Sequence, residues 1–104
     1  MAQRIVRWTD TAAKQRRSIL QYWTARNKST EYAEKLITQS EEKIKMISLA
    51  PESYKKADYP NTHFAVMGHF SIYFQFTDSI IFIKAFWDNR QDPKKLLKLF
   101  KENH

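Results

Sequence analysis

The segment Phe70-Ser71-Ile72-Tyr73-Phe74-Gln75-Phe76 alternates without a break. A period of two places Phe70, Ile72, Phe74 and Phe76 on one face of a strand and Ser71, Tyr73, Gln75 and then Thr77 on the other, the pattern of an antiparallel strand with one buried face. A chain that contains such a strand must supply partner strands beside it and a layer over its apolar face. The stretch from His63 to Trp87 reads as three strands in a meander, with Phe70–Phe76 in the middle.

The covering layer is written upstream. After Asp10, read as a cap, Ala12, Ala13, Ile19, Leu20 and Trp23 recur at helical spacing as far as Arg26-Asn27. Ser29 suits the N-cap of a second helix with Glu31 near its positive end; Ala33, Leu36, Ile37, Ser40, Ile44 and Ile47 form its stripe, and Leu49-Ala50-Pro51 stops it. Helices of similar length joined by about three residues form an antiparallel hairpin. Residues 4–8, RIVRW, alternate as a short first strand, and residues 51–62 are rich in turns. At the other end Asp92 is an N-cap and Pro93 takes the first helical position, where a missing N–H costs nothing. Leu96, Leu97 and Phe100 then share one face of a terminal helix, with Lys94, Lys95, Lys98 and Lys101 off it. The predicted fold is α+β: an N-terminal strand, an α-helical hairpin packed on an antiparallel sheet (a three-stranded meander plus the first strand), and a short C-terminal helix.

One domain over residues 1–104 accommodates this, since a chain of that length buries about two thirds of its unfolded surface. The absence of cysteine excludes disulfides, a thiol nucleophile and Cys-based zinc sites, and the three histidines lack metal-ligand spacing. No metal or other cofactor is expected. The first residues lack the apolar core of a signal peptide, and no apolar run approaches the roughly 18 residues of a membrane span, so a cytoplasmic location is expected. A net charge of +7 favours phosphate backbones or acidic protein surfaces as partners.

Turn lengths predict the sheet register. A three-residue Met67-Gly68-His69 loop sets Phe64 and Val66 beside Ile72 and Phe70, so His63 faces Tyr73. A two-residue Asp78-Ser79 loop puts Ile81, Ile83, Ala85 and Trp87 on the core face and Lys84 outward, opposite Tyr73. The expected outer face therefore carries His63, Tyr73 and Lys84 in one row, with Lys55, Lys56 and Arg90 nearby. Cleavage of RNA at a 2′-hydroxyl needs a proton acceptor, a proton donor and cations for the charge that develops on phosphate, and this row can fill those roles. The same residues also read as an ordinary solvated sheet face. Ile80, Phe82 and Phe86, on that outer face, are either covered by the terminal helix or form an apolar surface for a partner segment. Asp88 with Arg90 reads as an ion pair shaping the turn or, for Arg90, as a contact to a target. His69 is a turn residue, and His104 is expected to be disordered.

The order of elements, together with TAAKQ after a tryptophan, YW..RNKS..YAEKL across the helix junction, MGHFSIYFQF in the meander and FWDNRQDPKKL at the end, resembles the RelE/ParE superfamily of bacterial type II toxins. The resemblance implies a small toxin held inactive by a cognate antitoxin encoded beside it, the two forming a hetero-oligomer. RelE-like members cleave mRNA in the ribosome, using basic residues on the sheet and an arginine after the last strand, whose region Arg90 matches. His63 stands where many of them have arginine, and the terminal helix has no tyrosine. ParE-like members act on DNA gyrase without a nuclease centre, and DNRQDPKKL is closer to their ending. ParE-like action is therefore the expectation, with RelE-like mRNA cleavage, or a degenerate member that only binds antitoxin, as alternatives. On this reading Lys55, Lys56 and Arg90 meet the target, and Ile80, Phe82 and Phe86 meet the antitoxin.

Overall fold

The computed structural model describes residues 4–102; His104 lies outside them. The chain runs β1 (Ile5–Trp8), α1 (Asp10–Asn27), α2 (Glu31–Leu49), a 3-10 turn at Pro51–Ser53, β2 (Lys55–Lys56), β3 (His63–Met67), β4 (Phe70–Phe76), β5 (Ile80–Asp88) and α3 (Pro93–Glu102). The predicted architecture is present, with one strand more. Lys55 and Lys56 pair with Phe64 and His63, which makes the sheet five-stranded in the order β1-β5-β4-β3-β2. β1 lies parallel to β5 and the remaining neighbours are antiparallel.

The cap of α1 sits one residue earlier than predicted. Thr9 still pairs with β5, its N–H donating to the Ile83 carbonyl at 3.1 Å, so its backbone is extended and its Oγ1 is free to accept from Ala12 N–H at 3.2 Å. Asp10 becomes the first helical residue, with its carboxylate at the positive end of the helix. At α2, Ser29 Oγ accepts from Glu31 N–H at 3.2 Å, while Thr30 occupies the cap position without a side-chain bond. The hairpin closes where Trp23 meets Tyr32 edge-to-face, 5.1 Å between centroids. Two buried serines on α2, Ser40 and Ser48, return their hydroxyls to their own helix at the Ile37 and Lys45 carbonyls. These two hydroxyls are thereby satisfied without partners from the sheet.

Both helices cover one face of the sheet. Phe70, Ile72, Phe74, Ile81 and Ile83 fill that core together with Leu36 and Ile47, and Val6 and Trp8 pack against it. The last helix lies on the other face. There Leu96 and Phe100 pack on Ala85 and Trp87, with Tyr59, Tyr73 and Leu99 around them, while Asp92 caps α3 by accepting from Lys94 N–H at 2.9 Å. The predicted stripe is rotated slightly, for Leu99 rather than Leu97 joins this cluster.

Two features of the sheet overturn the predicted register. The β3–β4 turn has two residues, not three: Met67 pairs with Phe70, and Gly68, with φ +62°, supplies the left-handed position. A Cβ on Gly68 would meet nothing within 4 Å, so it is backbone conformation, not space, that favours glycine there. One residue less in the turn moves His63, Ala65 and Met67 onto the helical-hairpin face and Phe64 and Val66 onto the other. The second feature is a β-bulge in β5. Phe74 pairs with Ile83 but Tyr73 with Ala85, leaving Lys84 as the extra residue. Past it the parity flips: Phe86 turns under α1 against Phe70 and Trp8, and Ala85 and Trp87 turn to α3.

Candidate functional site

Because β1 pairs only with residues 80–83 of β5, the remaining edge of β5 has no strand beside it. α1 takes that place, and Gln15 Oε1 accepts the Phe86 backbone N–H at 2.9 Å where a ladder bond would have stood. Between α1, the end of β5 and α3 lies a trough made of two adjoining clefts, which share Ser18, Ile19, Asp88 and Gln91. The α3 end has Phe86, Trp87 and Leu99 in its wall and Lys14, Lys95, Lys98 and Glu102 around it. At the other end stand Tyr22, Trp23, Arg26 and Arg90.

That second end is an arginine–aromatic cluster. The guanidinium carbons of Arg26 and Arg90 lie 5.8 and 5.5 Å from the centroid of the Trp23 ring. Tyr22 packs edge-to-face on Trp23 at 5.2 Å, and its hydroxyl accepts from Arg26 Nη1 at 3.2 Å. Arg90 is fixed from its own loop: Nε donates to Asp88 Oδ1 at 2.9 Å and Nη2 to Oδ2 at 2.7 Å, with the Arg90 backbone N–H also on Oδ1. These hydrogen bonds hold the Asp88 carboxyl below its ordinary range and raise Arg90 further above its own. The Arg90 side chain remains 50% exposed. The ion pair expected between Asp88 and Arg90 is present, and it leaves the Arg90 side chain half exposed.

The predicted row of His63, Tyr73 and Lys84 is not assembled. His63 pairs with Phe74 on the helical-hairpin face, its ring 5.9 Å from that of Phe74 and 5.2 Å from that of Phe76, and its Nδ1 is buried without a hydrogen-bond partner among the described residues. Tyr73 is on the opposite face, stacked on Phe64 at 5.5 Å and edge-on to Phe100 at 5.7 Å. Burial, and then the charge of Asp58, push the Tyr73 hydroxyl above its usual range, so it stays protonated near neutral pH. Lys84 is the bulge residue and lines a small cleft with Asp10, Phe100 and Glu102.

Lys55 and Lys56 are exposed on the edge strand β2; pairing with Phe64 and His63 puts them on opposite faces. The three apolar residues assigned to the outer face also separate. Phe86 is 1% exposed beneath α1 because of the bulge, whereas Ile80 and Phe82 stay half-buried on the outer face, close to the exposed Ile5 of β1. The sequence places Trp23 on the core face of α1 and gives Tyr22 and Arg26 no site role, although both stand in the YW..RNKS motif. The i, i+4 spacing of Tyr22 and Arg26 was the available signal for their contact.

The chain is similar over residues 6–93 to the family described as the ParE toxin of type II toxin-antitoxin system, parDE. A search of curated proteins returns no match. Among solved structures, a chain of the chromosomal ParDE TA system from P. aeruginosa superposes with a TM-score of 0.70 at 18% identity, covering 83% of this chain and 96% of that one.

Proposed function

Because this chain belongs to the ParE toxin family of type II toxin–antitoxin systems, we propose that it arrests growth by binding DNA gyrase, and that a cognate antitoxin holds it inactive. The observation that carries the choice of target is the separation of His63 from Tyr73 by the thickness of the sheet. A nuclease needs an acceptor and a donor converging on one phosphate, within hydrogen-bond reach of the reacting groups. Here the imidazole is packed between phenylalanines on one face, and the phenol is held protonated on the other. A protein-binding mode needs only a displayed, rigid contact group. Arg90 fits that role, since Asp88 orients its fork and half of the side chain remains accessible.

Family membership implies an antitoxin partner. Ile80 and Phe82, continued by Ile5, are the part of the expected antitoxin surface that remains accessible, and Lys55 and Lys56 remain candidates for target contact. The positive net charge would speed encounter with an acidic partner. Expression of the chain in growing cells tests the target: a loss of negative supercoiling in a reporter plasmid before protein synthesis falls supports gyrase, and the reverse order supports the ribosome.

A further inference from the structure

We propose that the trough between α1 and the β5–α3 connection binds single-stranded nucleic acid, with a base stacked at Tyr22 and the phosphates carried by Arg26 and Arg90 at one end and Lys14, Lys95 and Lys98 at the other. Gyrase inhibition could fail and this site would stand, because it rests on the composition and shape of the trough alone.

The charge balance comes first. Five cations line the trough against two carboxylates, Asp88 and Glu102, and Asp88 is already bound to Arg90. That ion pair leaves donors unused: among the described residues Arg90 Nη1 donates to no protein acceptor, and of the Arg26 donors only Nη1 does, to Tyr22. From Lys14 to Arg26, α1 runs about 18 Å at the helical rise, long enough for cations at both ends to follow a backbone of a few nucleotides.

Flat groups come second. Tyr22 is 55% exposed, yet its ring is not loose, because it packs at a right angle on Trp23 and Arg26 holds its hydroxyl. An exposed, pre-ordered ring beside guanidinium groups is a stacking platform for a base, which offers a π-face whatever its identity. A duplex keeps its bases stacked on one another and would meet only the rim cations. An acidic peptide would satisfy those cations and leave the Tyr22 face without a planar partner. Single strands use both parts of the site.

The test is fluorescence anisotropy with a labelled oligothymidylate at several salt concentrations, set beside a labelled hairpin duplex and an unlabelled polyglutamate competitor. The full chain should bind the single strand more tightly than the duplex, with log affinity falling linearly in log salt. Tyr22→Ala and Arg26→Ala, at exposed positions and checked for fold by circular dichroism, should each weaken binding by about fivefold or more, the lower end for one stacked base. Lys35→Ala, an exposed charge on α2, should change it by less than about twofold. The proposal is overturned if the single strand does not bind, if Lys35→Ala weakens binding as much as Arg26→Ala, if duplex binds equally well, or if polyglutamate displaces the strand and binds more tightly, which would assign the trough to an acidic protein surface.

Discussion

Asp88 holds Arg90 by three hydrogen bonds, two to the guanidinium and one to the backbone N–H, so that the last residue of β5 sets the direction of a side chain in the loop that follows. A mobile arginine would lose rotamer entropy on meeting a target; one already oriented loses less.

Arg90→Ala should therefore relieve toxicity while leaving the protein folded, with a melting temperature close to that of the parent and antitoxin binding retained. Arg90→Lys keeps the charge and loses the planar fork, and should recover little activity. Trp87→Ala is the contrast: it empties a buried site under α3 and should cost about 3–5 kcal/mol. Growth assays paired with thermal melts distinguish the two. An Arg90→Ala protein that folds and stays fully toxic would place the target contact elsewhere.

The ion pair also makes an acid-side prediction. The folded Asp88 carboxyl titrates below its unfolded value of about 3.9, so its contribution is complete well above that pH and is lost as pH falls through the lowered folded value. Asp88→Asn should be less stable than the parent at neutral pH, and the difference should shrink as pH drops below about 4. Melts across that range check it; a difference that does not change with pH would show that the Asp88 charge contributes nothing.

Lys84 is the one residue of β5 that the β4 pairing skips, so neither its side chain nor its place in the strand should be needed to set the faces of its neighbours. Lys84→Ala keeps the bulge and should shift stability by about 1 kcal/mol or less. Deleting Lys84 removes the bulge without moving its neighbours to other faces: Ile83 and Ala85 would follow each other opposite Phe74 and Tyr73, as they already pair, so Phe86 stays under α1 and Trp87 under α3. The deletion variant should still unfold cooperatively. A deletion variant that loses cooperative unfolding would mean that the faces of Phe86 and Trp87 are not set by these pairings.

Much of this fold was legible because its signals are local. The alternation from Phe70 to Phe76, the stripe from Ala33 to Ile47 and the Asp92-Pro93 start of α3 each state their own structure, and all three are present. Register was not local. Gly68 marks a turn but not whether two or three residues make it, and that single residue decided which face His63 takes. Nothing around Lys84 announces a bulge, since Ile83-Lys84-Ala85-Phe86 reads equally well as continuous alternation; packing against α1 and α3 settles it. The two-residue strand at Lys55-Lys56 was hidden for another reason: charged residues suit an exposed edge but carry little strand signal of their own. The cluster around Trp23 depends on Arg90, remote in sequence, and no reading of α1 alone could have supplied it.

The central claim is that this ParE-family chain acts by binding gyrase and not by cutting RNA. Its most direct test is a purified supercoiling reaction containing gyrase, ATP and relaxed plasmid, run beside primer extension on mRNA in a translating extract. The account predicts that the chain blocks supercoiling in proportion to its concentration, that antitoxin or Arg90→Ala restores the reaction, and that mRNA stays intact. Normal supercoiling together with site-specific mRNA cleavage, abolished by His63→Ala or Tyr73→Phe, would contradict it.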